Sequence, residues 1–187
     1  MARWNFDKLS EAKPDTLEKL MRECPAPDYA ALDGFRYMGW NHGWGASLLS
    51  GEKLSKAFLR DKKKTVGFNE VILQDLAGPK GKWNRLMVGG RPVQLAFYRF
   101  ARVKDEPEEP WSSPYPQAGV LHYGLPKLNT GVNVIFQCIR DVIVCPNPGD
   151  HELLLCKAHF RRSARKADFY CYFQLGKRVP IDFPPWG

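Results

Sequence analysis

Residues 131–175 read GVNVIFQCIRDVIVC, PNPGD, HELLLCKAHF, RRSARKAD and FYCYFQL in succession. Three runs rich in aliphatic, β-branched and aromatic residues are separated by two polar turns, the pattern of consecutive antiparallel strands. In a strand, successive side chains point to opposite faces. Val132, Val134, Phe136 and Cys138 then share one face, against Asn133, Ile135, Gln137 and Ile139. Leu153, Leu155, Lys157 and His159 stand against Leu154, Cys156, Ala158 and Phe160, and Phe169, Cys171, Phe173 and Leu175 against Tyr170, Tyr172 and Gln174. In several of these runs both faces are largely apolar, more than a sheet with one wet face requires. Either helices and loops cover the outside, or the sheet encloses a cavity lined by aromatics and a few polar anchors. Arg140-Asp141 interrupts the first run, and an exposed ion pair at a bulge that splits the strand is the preferred reading there.

Upstream, Gly34–Asn41, Thr65–Leu76, Trp83–Val88, Pro92–Val103 and Ala118–Tyr123 read as strands, with glycine- and proline-containing turns between several of them. Ala46–Phe58 reads as a short helix or an irregular lid. Lys104–Pro116 carries too many prolines and acids for a central strand and is expected to be an exposed loop. Asp7–Cys24 is the best helix, with Pro14 interrupting it. No strand–helix alternation appears, which argues against a parallel sheet. The expectation is a mainly β protein, an antiparallel up-and-down β-barrel of about eight strands with an N-terminal helix; a curved sheet folded over that helix satisfies the same pattern. The 187 residues form a single domain on this reading: a helical cap over 1–32, the barrel over 33–175 and an irregular tail over 176–187.

The formal charge of +8 permits anionic partners without selecting one. Arg60–Lys64 and Arg161–Lys166 are basic clusters at turns, read first as solvated hairpin tips, so nucleic acid is not the expected partner. No run approaches the ~20 apolar residues of a membrane-spanning helix, and the N-terminal stretch has no apolar core of signal-peptide length. Five cysteines without CxxC spacing predict free thiols in a reduced, cytoplasmic protein. There is no G-x-S-x-G, P-loop or G-x-G-x-x-G motif, and the histidines are scattered. No cofactor and no metal are therefore expected.

These features together resemble the calycin group, the lipocalin-like ligand-binding barrels. The likeness rests on the Gly34-Phe-Arg-Tyr-Met-Gly-Trp40 entry strand, the antiparallel meander and the closing pair HELLLCKAHF and DFYCYFQL. The resemblance implies an apolar or aromatic ligand inside an eight- or ten-stranded barrel, generally without covalent chemistry, although some relatives are isomerases or cyclases. Lipocalins carry Gly-x-Trp on the first strand; here Gly39 and Trp40 are adjacent, so the architecture is carried over and no binding residue is.

The sequence reading thus favours a binding or carrier protein for a hydrophobic small molecule. Trp40, Phe68, Phe97, Tyr98, Phe136, Tyr170 and Tyr172 are candidate wall residues, with Asn69, Gln137, His122 and His159 as polar anchors. The alternative is a cofactor-independent isomerase, cyclase or hydrolase in the same cavity. In it His122 or His159 acts as base and Tyr123 or Asp141 as its partner, because an imidazole beside a phenol or carboxylate can move a proton. A third reading is an interaction module for anionic partners, through the basic turns.

Overall fold

The computed structural model describes residues 3–42, 51–61, 64–75, 77–106, 109–163 and 165–185. Three short helices come first: α1 (Phe6–Ser10), α2 (Pro14–Glu23) and α3 (Tyr29–Leu32). The Asn5 side chain caps α1 and the Asp28 side chain caps α3, each accepting from a backbone N–H. Pro14 stands in the first turn of α2, where no N–H is needed, and so divides the helical stretch in two.

The strands are β1 (Phe35–His42), β2 (Lys53–Asp61), β3 (Lys64–Glu70), β4 (Met87–Val88), β5 (Arg91–Pro92), β6 (Gln94–Arg102), β7 (Gly119–His122), β8 (Ile139–Val144), β9 (Leu154–Arg161) and β10 (Ala167–Pro180). Among the described residues, eight of them close into one antiparallel barrel in the order β1-β2-β3-β6-β7-β8-β9-β10, with β10 returning to β1. β4 and β5 form a separate hairpin within the β3–β6 connection. The up-and-down barrel expected from the sequence is the fold.

Five local expectations are corrected. Gly131–Cys138 is a 3-10 helix, not a strand. Its β-branched residues have no ladder to join, because β7 ends at His122 and pairs with β8 only back to Arg140. Arg140 and Asp141 lie inside an unbroken β8, where both are buried, rather than at an exposed bulge. The Ala46–Phe58 stretch is strand from Lys53 onward; its first residues, Ala46–Ser50, lie outside the described residues. Trp83–Val88 contributes only an isolated bridge at Arg85 and the two-residue β4. The last strand also runs on to Pro180, past Leu175.

The barrel has a solid end and an open end. At the solid end α3 inserts Tyr29 and Leu32 among Tyr37, Phe58, Tyr98, Leu121 and Ile143. The rings meet edge-on or tilted, with centroids 5.5 Å apart for Tyr37–Phe58 and 5.8 Å for Phe58–Tyr98. Their hydroxyls do not go unsatisfied: Tyr29 donates to the Leu59 carbonyl, Tyr37 to that of His151 and Tyr98 to that of Ala57. A second core lies outside the barrel. Leu9, Leu17, Met21 and Cys24 of the N-terminal segment cover Val120, Val142, Val144 and Leu155. This cover accounts for the outer of the two apolar faces in β8 and β9.

Gly67 of β3 lets the Tyr98 ring lie flush on the backbone, since a Cβ there would overlap the ring. Gly67→Ala is expected to cost about 1–3 kcal/mol, the usual penalty for overpacking a tight core. Chemical denaturation measures it, and a stability equal to the parent would contradict this account of the floor.

Candidate functional site

Above the Tyr98 floor, strand alternation turns Leu54 and Lys56 of β2 and Asn69 of β3 inward, opposite Asp141 of β8 and Ala158 of β9. On β10 the register shifts between Phe169, opposite His159, and Cys171, opposite Ala158, a bulge at Tyr170. Tyr170 and Cys171 are adjacent in sequence and both face the interior as a result. The space enclosed is about 250 Å³. Phe136, Ile135 and Ile139 stand over it where the 3-10 segment enters β8, together with Phe160 and Tyr170. The wall is mostly apolar.

The polar groups that face this space converge. Lys56 Nζ lies 3.1 Å from Asn69 Oδ1 and 3.1 Å from Asp141 Oδ2, and it also donates to the Tyr123 hydroxyl. Tyr123 in turn donates to Asp141 Oδ2 at 2.6 Å. Lys56, Tyr123 and Asp141 are all buried. The ammonium is further caged by the rings of Tyr98, Tyr123 and Phe173, with centroids 5.0–5.2 Å away. Asn129 locks the end of β7 by donating to the carbonyls of Phe97 and Tyr123 and accepting from the Phe97 N–H. Burial, and then the neighbouring Asp141 charge, push the Tyr123 phenol well above its ordinary pKa, so it keeps its proton. Burial does the same to the thiol of Cys171, pushed up to about 12.

Of the residues singled out from the sequence, Asn69, Tyr123, Phe136, Asp141 and Tyr170 line the cavity. Tyr98 lies in the core beneath the Lys56 ammonium and does not itself line the cavity. The others do not line it either. Trp40 points outward toward the Gly78 turn. Phe68 and Phe97 face each other at 6.2 Å, away from the cavity. Gln137 ties the 3-10 segment to the Asn129 carbonyl, and Tyr172 donates to Glu18 under α2. His122 lies 3.3 Å from Glu109, which also accepts from Arg140 and Arg161. His159 packs on Trp111 at 4.8 Å beneath the β6–β7 connection. Neither imidazole lines the cavity, so neither stands beside the Tyr123–Asp141 pair.

Lys56 is the central residue that sequence reading missed. The signal was present: Leu54, Lys56 and Phe58 alternate with Ser55 and Ala57 as an inward set, legible once the stretch is taken as a strand. Among the described residues no group of three or more His, Cys, Asp or Glu could hold a metal ion, and no helix is long and apolar enough to cross a membrane. Of the two basic clusters, Lys62, Lys63 and Ala164 lie outside the described residues. No protein-family model, curated protein or solved structure matches this chain.

A buried pair is costly to break on one side only, because the remaining charge loses its partner. Lys56→Met and Asp141→Leu are each expected to destabilise the fold by about 3–5 kcal/mol, and the double variant by less than the sum. Additive losses in denaturant titrations would contradict the coupling.

Burial, with the positive charges of Arg140 and Arg99 near His122 and of Lys157 near His159, holds both imidazoles neutral, with pKa values lowered from 6.5 to about 4. The unfolded chain takes up these protons first. Stability from this source is complete above 6.5 and lost as the pH falls toward 4. The Tm is expected to drop across that window and to drop less in His159→Gln; an identical slope in the variant would contradict the assignment.

Proposed function

We propose that this barrel binds or carries a small hydrophobic molecule in the cavity between its aromatic floor and its open end. The observation that carries the reading is the space of about 250 Å³, apolar around most of its wall, with Lys56, Asn69, Tyr123 and Asp141 converging on one side. Binding sites for small molecules have this character, a mostly apolar concavity with a few placed polar groups. The volume exceeds the ~150 Å³ of an apolar cavity that takes up benzene, so a one- or two-ring molecule is the fitting size. The five free thiols, four of them buried, suit a reducing compartment such as the cytoplasm.

Ala158 is a small wall residue, and Ala158→Phe would fill the space it borders. Naphthalene is expected to bind the parent protein saturably at one site, as read by calorimetry. It should bind Ala158→Phe at least about tenfold more weakly, the equivalent of 1.4 kcal/mol. Equal binding by both proteins would place the ligand elsewhere and defeat the reading.

A second reading, a cofactor-independent isomerase, cyclase or hydrolase, draws on the Tyr123 hydroxyl held at 2.6 Å from Asp141 inside the cavity. With both imidazoles facing away, that pair and Lys56 are the clustered groups that could move a proton there. This reading requires turnover that Tyr123→Phe abolishes while ligand binding persists.

A further inference from the structure

The polar side of the cavity fixes the class of ligand as well as its place. Among the described residues that line the space, Lys56 and Asp141 are the only Lys, Arg, Asp or Glu. They lie 3.1 Å apart, and whichever holds the proton, the pair is neutral as a whole. Two of the three ammonium donors go to Asn69 Oδ1 and the Tyr123 hydroxyl oxygen, and Asp141 Oδ2 stands 3.1 Å away as the counter-charge. The Tyr123 proton is committed to Asp141 as well. The Lys56 charge is thus already met by Asp141, and an incoming anion would compete for it.

A ligand carboxylate would have to take Lys56 from Asp141. That would leave two carboxylates sharing one cation in a buried apolar site, an arrangement that like-charge repulsion and desolvation both penalise. An uncharged oxygen makes no such demand. Asn69 accepts from Lys56 through its oxygen, which leaves its amide NH2 as the donor available to a ligand carbonyl or hydroxyl. We infer that the cavity takes an uncharged one- or two-ring molecule bearing a carbonyl or hydroxyl oxygen, and that the Lys56–Asp141 pair rejects the carboxylic acid of the same skeleton. This inference rests on the binding reading above and deepens it.

The test is a series with one skeleton: 2-acetylnaphthalene, 2-naphthol and 2-naphthoate, titrated calorimetrically at neutral pH into the parent protein and into Asp141→Asn. In the parent, the ketone and the naphthol are expected to bind at least about tenfold more tightly than the carboxylate. In Asp141→Asn, Lys56 loses its counter-charge, and 2-naphthoate is expected to gain on the ketone by a similar factor. Carboxylate binding to the parent as tight as that of the ketone overturns the inference and leaves the binding reading standing. Failure of all three compounds to bind the parent overturns both. The parent arm alone decides the question if the variant does not fold.

Discussion

β1 pairs with β10 from Phe35 opposite Pro180 to His42 opposite Tyr172, and that ladder joins the first strand of the sheet to the last. Without it the meander would be an open sheet with two exposed edges and no enclosed space. Closure gives each of the eight barrel strands two neighbours and turns their inner faces toward one another. The solid end then fills with Tyr29, Tyr37, Phe58 and Tyr98, and the opposite end, where the inner side chains do not meet, keeps a cavity. The irregularities in the ladder serve the same geometry. The shift beside Tyr170 adds a second adjacent side chain to the cavity wall, and Ala96, at φ 51, marks the break in register between β3 and β6.

Inside this frame the Lys56–Tyr123–Asp141 cluster is costly to hold. Two ionisable groups are withdrawn from water, and the aromatic cage, the Asn69 oxygen and the mutual hydrogen bonds offset that cost. An entirely apolar filling of the same positions would demand less. The cluster lies on the cavity wall and not in the outer core. The outer face carries its own buried charges, with Glu109 among Arg140, Arg161 and His122, and Glu18 with Lys157. Those join the N-terminal segment and the β6–β7 connection to the barrel and face away from the cavity.

The barrel was legible in the sequence because most of its strands are strongly patterned. The two-sided apolarity of β8 and β9 was legible too, but it has two causes at once. One face meets α1, α2 and the loops; the other meets the barrel interior. Sequence alternation gives two faces without saying which is inside, so Tyr172 and His159 read as cavity residues although they belong to the outer cover. Gly131–Cys138 shows a further limit. Its composition favours a strand, yet Val132 is 87% exposed on a 3-10 helix because no neighbouring strand extends far enough to pair with it. Asp141 was visible as an oddity in an apolar run. Its partner Lys56 shows as an inward residue only once Lys53–Asp61 is taken as a strand, and the meeting of the two across the barrel is a product of closure.

The central claim is that this closed sheet is a container. Native mass spectrometry of the freshly purified protein, before and after exposure to an apolar small-molecule extract, addresses it most directly. The account predicts a one-to-one adduct of a single small uncharged molecule, released on denaturation. A bare protein mass both as purified and after exposure would contradict it.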